Sequence, residues 1–301
     1  MKSSTVLLII LAIVLIVAGV VIAAAAGIAG NWTFGDTDVN YETKEYQVSE
    51  DFDVISIKTE TDDVVFVPSE DGSCKVVCLE LEKLTHTVEV ENGALVIKSS
   101  DTREWYEKIF GISFKSPKTT VYLPKAEYAS LSVDCRTGDV DVPADFSFGT
   151  IDITALTGDV TCDASASGKI KIAVSTGDIS AAHITAESIV LSLSTGDVVL
   201  TDVRCGDLAS TGGTGSVVLT SVVASGKLSV ESSTGSVNFD RCDAGEIFVK
   251  TSTGSVKGTL LSEKVFIASS NTGKVKVPSS ASGGRCEIKT STGSVVISIA
   301  E

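Results

Sequence analysis

Aromatic residues make up only 6% of the 301-residue sequence, and valine, isoleucine, serine, threonine and glycine dominate instead. β-Branched residues and small turn-forming residues favour strands and turns over helices. Apolar residues still account for 43% of the chain, so a substantial core is available. The composition therefore predicts an all-β fold.

Basic residues and histidines are also scarce. The 24 lysines and arginines face 39 acids, which gives a net charge of -15 and argues against nucleic-acid binding, since phosphate contacts need clustered cations. Only His86 and His183 are present, and no Cys-x-x-Cys pair occurs, which disfavours a zinc site. No nucleophile motif accompanies them. We expect no catalytic residue, no cofactor and no enzyme activity.

One long apolar segment lies near the N-terminus. Residues 6–29 carry no charge, and as a helix they would extend about 36 Å, enough to cross a hydrocarbon core of about 30 Å. Because Lys2 precedes them, the positive-inside tendency predicts a cytoplasmic N-terminus at residues 1–5 and an extracytoplasmic remainder on a single-pass cell-membrane protein. A cleaved signal peptide is the alternative, although its apolar region usually spans only about 7–15 residues.

After this anchor, residues 30–45 are predicted to form a linker and residues 46–301 an ectodomain. Within the ectodomain a Thr-Gly dipeptide recurs nine times at intervals of 19 or 20 residues. Glycine readily accepts a positive φ or a close backbone neighbour, so these glycines are predicted to be structural turn residues. They are Gly138, Gly158, Gly177, Gly196, Gly215, Gly235, Gly254, Gly273 and Gly293.

Apolar residues recur at fixed distances from each of these threonines. The residue three positions later is β-branched and apolar in every copy: Val140, Val160, Ile179, Val198, Val217, Val237, Val256, Val275 and Val295. Positions four and six before the threonine are also mostly apolar, so the pattern alternates on both sides of the turn. Coils that return to one corner need a constant period, whereas hairpins do not. We predict a parallel β-solenoid (β-helix) with nine regular coils over residues 131–298, each about 4.8 Å above the preceding one.

Residues 46–130 depart from this pattern. Residues 54–67 resemble one further coil in which Asp62 replaces the glycine. Aspartate suits this position because it tolerates left-handed geometry better than most residues. The Asn92-Gly93 pair between alternating apolar residues predicts a hairpin over residues 88–97.

A short amphipathic helix is predicted after this hairpin. Asp101-Thr-Arg-Glu104 resembles a capping box before Trp105, Tyr106, Ile109 and Phe110, and Gly111 follows as a stop. We expect this helix to cover the open end of the solenoid. An aromatic patch for partner binding is the alternative.

Four coils carry an aspartate two residues after the threonine: Asp139, Asp159, Asp178 and Asp197. Neighbours about 4.8 Å apart repel by roughly 0.9 kcal/mol in bulk water, which a solvated corner tolerates. We predict that these aspartates bond the turn backbone. A metal site of the kind that binds calcium is the alternative, although the glycine-rich pattern of calcium-binding rolls is absent.

The sequence contains seven cysteines. Cys74 and Cys78 share one predicted strand face but lie about 13 Å apart, too far to pair with each other. Cys205 and Cys242 are predicted to lie in return loops. An odd number leaves at least one free thiol or an intermolecular bond. The other three fall in the apolar columns and are predicted to be small core residues: Cys135, Cys162 and Cys286.

The order of these features resembles the bacterial putative-adhesin family, domain of unknown function 4097. The matching parts are the anchor, the coil at residues 54–67, the hairpin, the segment Val121-Tyr-Leu-Pro124 and the serial Ser/Thr-Gly-Asp-Val turns, over about residues 45–298. The resemblance implies a β-solenoid ectodomain of the cell envelope. It brings no established catalytic residues.

We therefore expect a non-enzymatic, adhesin-like solenoid that binds or scaffolds at the cell envelope through exposed strand faces and return loops. Its partners would be the membrane, through residues 6–29, and an envelope polysaccharide or protein. An envelope-stress sensor that contacts membrane regulators is one alternative. A carbohydrate-active β-helix enzyme is another, but such enzymes use a cluster of carboxylates or bases on one face, and no coil carries one.

Overall fold

The computed structural model describes residues 41–103 and 117–300, and these residues form strands, turns and loops without a helix. Within them, no helix is long and apolar enough to cross a membrane. The anchor predicted at residues 6–29 and the helix predicted around residues 105–110 lie outside the described residues. The strands are β1 (Glu42–Val48), β2 (Val54–Thr59), β3 (Asp63–Pro68), β4 (Cys74–Glu80), β5 (Leu84–Glu91), β6 (Ala94–Asp101), β7 (Lys118–Leu123), β8 (Glu127–Thr137), β9 (Val140–Val142), β10 (Ser147–Thr157), β11 (Val160–Cys162), β12 (Ser165–Ala166), β13 (Lys169–Thr176), β14 (Ile179–Ala182), β15 (Thr185–Thr195), β16 (Val198–Thr201), β17 (Arg204–Thr214), β18 (Val217–Thr220), β19 (Val223–Thr234), β20 (Val237–Thr253), β21 (Val256–Leu260), β22 (Lys264–Ser270), β23 (Val275–Lys276), β24 (Gly284–Thr292) and β25 (Val295–Ile299).

From β8 onward the chain winds into a parallel β-solenoid, so the predicted fold class is confirmed. In each coil, a strand on the first face leads into the Thr-Gly corner and a strand on the second face leaves it. On the first face β10 pairs in parallel with both β8 and β13, and Ile151 lies beside Leu131 and Ile170. On the second face β11 pairs with β9 and β14. The apolar columns of the sequence therefore stack in register and form one continuous core.

The Thr-Gly corners stack more closely than a side chain would permit. Eight of the nine predicted turn glycines have φ between 133° and 156°. A Cβ added to Gly196 would lie 2.0 Å from the carbonyl oxygen of Gly177, one coil below. Gly273 is the exception in φ, but its added Cβ would still lie 1.8 Å from the carbonyl oxygen of Gly293. Glycine is needed at these corners for both its backbone freedom and its missing side chain.

The connection between the second face and the next coil forms a third side with its own inward-facing column. Cys205 lies on β17 and Cys242 on β20, and both are buried. Cys205 pairs in register with Ala186 and Ala224, which are also small. The prediction that these two cysteines lie in return loops was wrong, because the return segments are themselves strands that complete the core.

The coil predicted at residues 54–67 is confirmed. β2 pairs in parallel with β8, so Ile55 lies beside Leu131, and β3 pairs with β9. The left-handed conformation considered for Asp62 was wrong, since its φ is not positive. Its side chain is fully buried and faces His86, and this ion-pair geometry explains why an aspartate occupies the corner.

Additional strands cover the outer edge of this first coil. On the first face β6 continues the stack in parallel and β5 pairs antiparallel to β6, which confirms the predicted hairpin. Asn92 and Gly93 at its tip both have positive φ, as a two-residue type I′ turn requires. On the second face β7 pairs with β3, β4 with β7, and β1 with β4. β1 begins at Glu42, inside the segment predicted as linker.

The last two coils do not follow chain order, so the prediction of strictly sequential stacking was wrong. β24 pairs with β20 on one side and β22 on the other, which places the coil of Gly293 between those of Gly254 and Gly273. Cys286 and Ile288 on β24 are fully buried, whereas Phe266 and Ala268 on β22 are only partly buried. The coil of Gly293 thus takes the inner position, and the coil of Gly273 is left partly uncovered.

A single methyl group added at a stacked Thr-Gly corner should strongly reduce the stability of the fold. Gly196→Ala should lower the free energy of unfolding by about 3 kcal/mol or more, because it combines an unfavourable φ with a backbone overlap. Gly212→Ala is the matched control, since its added Cβ would meet nothing closer than 3.7 Å. We expect that control to stay within about 0.5 kcal/mol of wild type in chemical denaturation. Equal effects of the two substitutions would contradict the role assigned to the corner.

Candidate functional site

The aspartate column at the Thr-Gly corner forms a hydrogen-bonded ladder between coils. The Oδ1 atom of Asp139 accepts the backbone N–H of Asp159 at 2.8 Å, and that of Asp159 accepts the N–H of Asp178 at 2.8 Å. The series begins at Asp63 and ends at Ser216, whose N–H donates to Asp197 at 2.6 Å. Each carboxylate thus bonds the turn backbone of the neighbouring coil, and a charged acceptor makes such a bond stronger than a neutral one.

The ladder gives no sign of a metal centre. One oxygen of each of the four candidate ligands is already used by a backbone N–H. Among the described residues, no group of three or more His, Cys, Asp or Glu side chains is arranged to hold a metal ion.

All seven cysteines are buried and have free thiols, as the odd count allowed. Cys135, Cys162 and Cys286 occupy inward columns, which confirms their predicted position in the core. Burial raises the pKa of Cys162 and Cys286 to about 12, so neither is a thiolate near neutral pH.

A second cluster, which we call the His86 centre, lies where the N-terminal strands cover the first coil. The imidazole of His86 is fully enclosed, with Nε2 3.3 Å from Asp62 Oδ2 and Nδ1 3.3 Å from Glu80 Oε1. Glu80 also accepts hydrogen bonds from the Tyr46 hydroxyl at 2.7 Å and from Lys44 at 3.2 Å. The centre therefore connects β1, β4 and β5 to the corner between β2 and β3.

The charges of the His86 centre depend on one another. Burial alone lowers the pKa of His86, but its contacts with Asp62 and Cys78 outweigh that effect and raise it to about 10. Burial favours the neutral acid of Glu80, yet hydrogen bonds from Tyr46 and His86 bring its pKa below the usual range. A buried imidazolium between two carboxylates is thus the state that this geometry favours.

The first face of the solenoid carries a shallow trough that runs along the stacking axis. Two depressions of about 420 Å³ and 330 Å³ share Thr154, Ala155 and Ser175 and so form one trough. It crosses six coils, which is about 24 Å at about 4.8 Å per coil. Its lining consists of residues 58–60, 134–136, 154–156, 173–175, 192–194 and 211–213.

Small side chains and hydroxyl groups make up most of the trough. Thr154, Ser192 and Thr211 point outward in one column of the first face, with Ser192 and Thr211 3.3 Å apart. Charges lie only at one end, where Lys58 pairs with Asp134 at 3.4 Å and Arg136 with Glu60 at 3.2 Å. The middle of the trough therefore offers hydroxyl groups and apolar contact without a net charge.

Further along the same face, Phe248 adds an outward-facing aromatic ring. Lys227 Nζ lies 4.4 Å from the ring centroid, and the Arg285 guanidinium lies 5.6 Å from it. A depression of about 160 Å³ adjoins this ring and includes Lys250 and Lys289 together with Glu231 and Glu287. The first face thus combines the trough with a neighbouring aromatic area that carries charges of both signs.

The sequence identified the ladder and the three core cysteines but not the trough or the His86 centre. A signal for the trough is nevertheless present in the sequence. Small residues recur at the period of the repeat in one outward column of the first face: Thr154, Ala173, Ser192 and Thr211. The His86 centre left no such signal, because its members come from four separate segments without periodicity.

Comparison with known proteins agrees with this fold. A model of the Toastrack DUF4097 family matches residues 52–216 and again residues 169–301. No curated protein sequence matches the chain.

Three crystal structures are similar in fold. A putative adhesin from Bacteroides fragilis NCTC 9343 has 15% sequence identity and a TM-score of 0.50, with 86% of this chain and 97% of that chain covered. A putative adhesin from Parabacteroides distasonis ATCC 8503 has 14% identity and a TM-score of 0.49, covering 86% and 98%. One from Parabacteroides merdae ATCC 43184 has 12% identity and a TM-score of 0.49, covering 88% and 98%.

Because the folded chain holds His86 protonated, we expect the free energy of unfolding to fall as the pH rises above neutrality. The pKa of His86 is about 10 in the folded chain and about 6.5 when unfolded, so its stabilisation is complete below pH 6.5 and is lost as the pH approaches 10. Between these limits the loss should reach about 1.4 kcal/mol per pH unit. Denaturant unfolding of wild type and His86→Gln at pH 6.5 to 8 measures this slope, which the variant should lack.

His183→Gln provides the control for this measurement. The side chain of His183 is 71% exposed and lies beside the exposed Asp202, so its replacement should leave the slope unchanged. If His86→Gln kept the wild-type slope, the protonated state assigned to the buried imidazole would be incorrect.

Proposed function

Because the chain belongs to the Toastrack DUF4097 family, as its sequence resemblance predicted, we propose that it is a membrane-anchored adhesin-like solenoid that binds at the cell envelope. The solenoid holds its ligand without converting it. We assign binding to the trough on the first face and, as its ligand, a neutral linear polysaccharide of the envelope. The observation that carries this proposal is the length of the trough, which crosses six coils without an enclosed cavity.

The chemistry of the trough suits a carbohydrate chain. Sugar hydroxyls exchange hydrogen bonds with serine and threonine hydroxyls, which both donate and accept. The uncharged middle of the trough places no unpaired ion against a neutral polymer. The acidic ladder lies at the Thr-Gly corner beside the second face, where it would repel anionic polymers instead. A small molecule would need a more enclosed site, since such sites bury most of their ligand.

Membrane anchoring is part of the proposal and is supported by the sequence. Residues 6–29 are long enough to span a bilayer and follow Lys2, which favours a cytoplasmic N-terminus. The solenoid would then stand outside the membrane. The buried, reduced cysteines fit either side of the membrane, so they place no restriction on this topology.

Two other functions are distinguishable from binding. An envelope-stress sensor would act through a membrane regulator and would not need the trough. A carbohydrate-active enzyme would need an acid or base directed at the glycosidic bond, whereas Asp134 and Glu60 at the trough end are each paired with a cation.

Filling the trough should abolish binding. Ser192→Trp places an indole in the middle of the trough, and we expect retention on the preferred polysaccharide to fall at least tenfold. Val199→Trp is the matched control, because Val199 is 39% exposed on the second face of the same coil. The measurement is retention of the full chain on linear β-glucan, mannan and isolated cell-wall sacculi. Equal retention by both variants would exclude the trough as the binding surface.

The same panel separates the three functions when it is also scored for released oligosaccharide. Retention without product supports the binding proposal, and product release would establish the enzyme instead. Failure of wild type to bind any member would favour the sensor.

Membrane topology can be tested with introduced thiols, since the native cysteines are buried. Ser192→Cys should react with a membrane-impermeant maleimide in intact cells, because Ser192 is exposed in the proposed extracytoplasmic domain. Ser3→Cys should react only after lysis. Labelling of Ser192→Cys only after lysis would contradict the topology, and recovery of the chain in the medium would favour a cleaved signal peptide.

A further inference from the structure

The two ends of the solenoid are built differently. At the N-terminal end, the described edge strands β1 and β5 carry exposed charges at Glu42, Lys44, Glu45, Glu89 and Glu91. Charged side chains on edge strands are a common protection against pairing with other chains. The N-terminal end therefore carries a barrier against strand addition.

On the first face, the described strand at the C-terminal end has no such protection. β22 pairs only with β24 among the described strands, so its outer edge is free to accept a further strand. Its one charged residue, Lys264, is turned inward and bonded to Asp243 Oδ1 at 2.7 Å. Val265 and Ile267 are 39% and 47% exposed, so the outward face of this proline-free edge strand is apolar and carries no charge. Such segments pair readily with other strands.

The apolar core is also only partly covered at this end. Phe266 and Ala268 stand in register with the buried Cys286 and Ile288 of the next coil, so they belong to the interior columns. Both are only partly buried, because no described strand lies beyond them. Solenoids normally end in a polar capping repeat, and this coil is not one.

We propose that the C-terminal end is an interface at which a second copy of this chain pairs, with β22 antiparallel to its own counterpart about a two-fold axis at Ile267. The sequence of β22 is complementary to itself in this arrangement. Large Phe266 would lie opposite small Ala268 of the second copy, and Val265 would lie opposite Ser269. Ile267 would face Ile267 across the axis. Directly opposed side chains of one face are the pairs that stabilise an antiparallel sheet.

This pairing would join the two cores as well as the two edges. A two-fold axis perpendicular to the sheet keeps each residue on its own face, so Phe266 and Ala268 of both copies remain inside. Lys274 and Lys276 are exposed on the second face of the same coil, and this axis places them opposite the third side of the second copy. The contact involves one coil per copy, so we expect a dimer with a dissociation constant of about 1 μM rather than an obligate assembly.

Site-directed cross-linking of the full chain in mild detergent tests this interface. Ile267→Cys should give a covalent dimer with a short bis-maleimide, because the two thiols would lie opposite each other. Val199→Cys, equally exposed in the middle of the solenoid, should not cross-link. The native cysteines are buried and should not react in the folded chain.

A size-swap series tests the register. Ala268→Phe should weaken dimerisation at least tenfold in sedimentation equilibrium, because two phenylalanines would then oppose each other. Adding Phe266→Ala should restore it, since a large residue again faces a small one. Circular dichroism and thermal unfolding would confirm that each variant keeps the solenoid. A wild-type chain that stays monomeric at 100 μM, or an Ile267→Cys variant that does not cross-link, would overturn the proposal.

Discussion

The close contact between successive Thr-Gly corners sets the geometry of the whole solenoid. Each glycine carbonyl lies where the next glycine would carry a side chain, so a shift along the strands would press that carbonyl against the Cβ of a neighbouring residue. That restriction fixes the register of both faces and places like residues in columns. The aspartate ladder follows from it, because a carboxylate reaches the neighbouring N–H only when the corners stack at a strand spacing. The continuous core and the straight trough have the same origin.

Much of this architecture could be predicted because its determinants are periodic. The corner glycines, the inward valines that follow them and three of the cysteines lie in columns that the sequence displays directly. The third side was harder to recognise, because its inward column consists of small residues such as Cys205 and Ala224, which are also common in loops. The order of the last two coils could not be predicted. Both have the same period and corner, so the exchange is visible only in the strand pairing.

The trough and the His86 centre also differ in how far the sequence could predict them. The trough is the outer surface of periodic strands, so its residues are visible in the sequence once the faces are known. The His86 centre depends on where non-repeating strands pack, and Asp62 could be recognised as buried only from its contact with the imidazole. A fully buried ion pair is expensive to desolvate and stabilises mainly by excluding other arrangements. Here it specifies how the N-terminal strands sit on the first coil, whereas the rest of the solenoid is specified by apolar columns.

The exchange of the last two coils has a mechanical consequence. β25, the final strand of the described chain, lies between β21 and β23. A force applied at the C-terminus would therefore have to extract a strand that is held on both sides, rather than peel away an outermost coil. Unravelling from this end meets its greatest resistance at the first step.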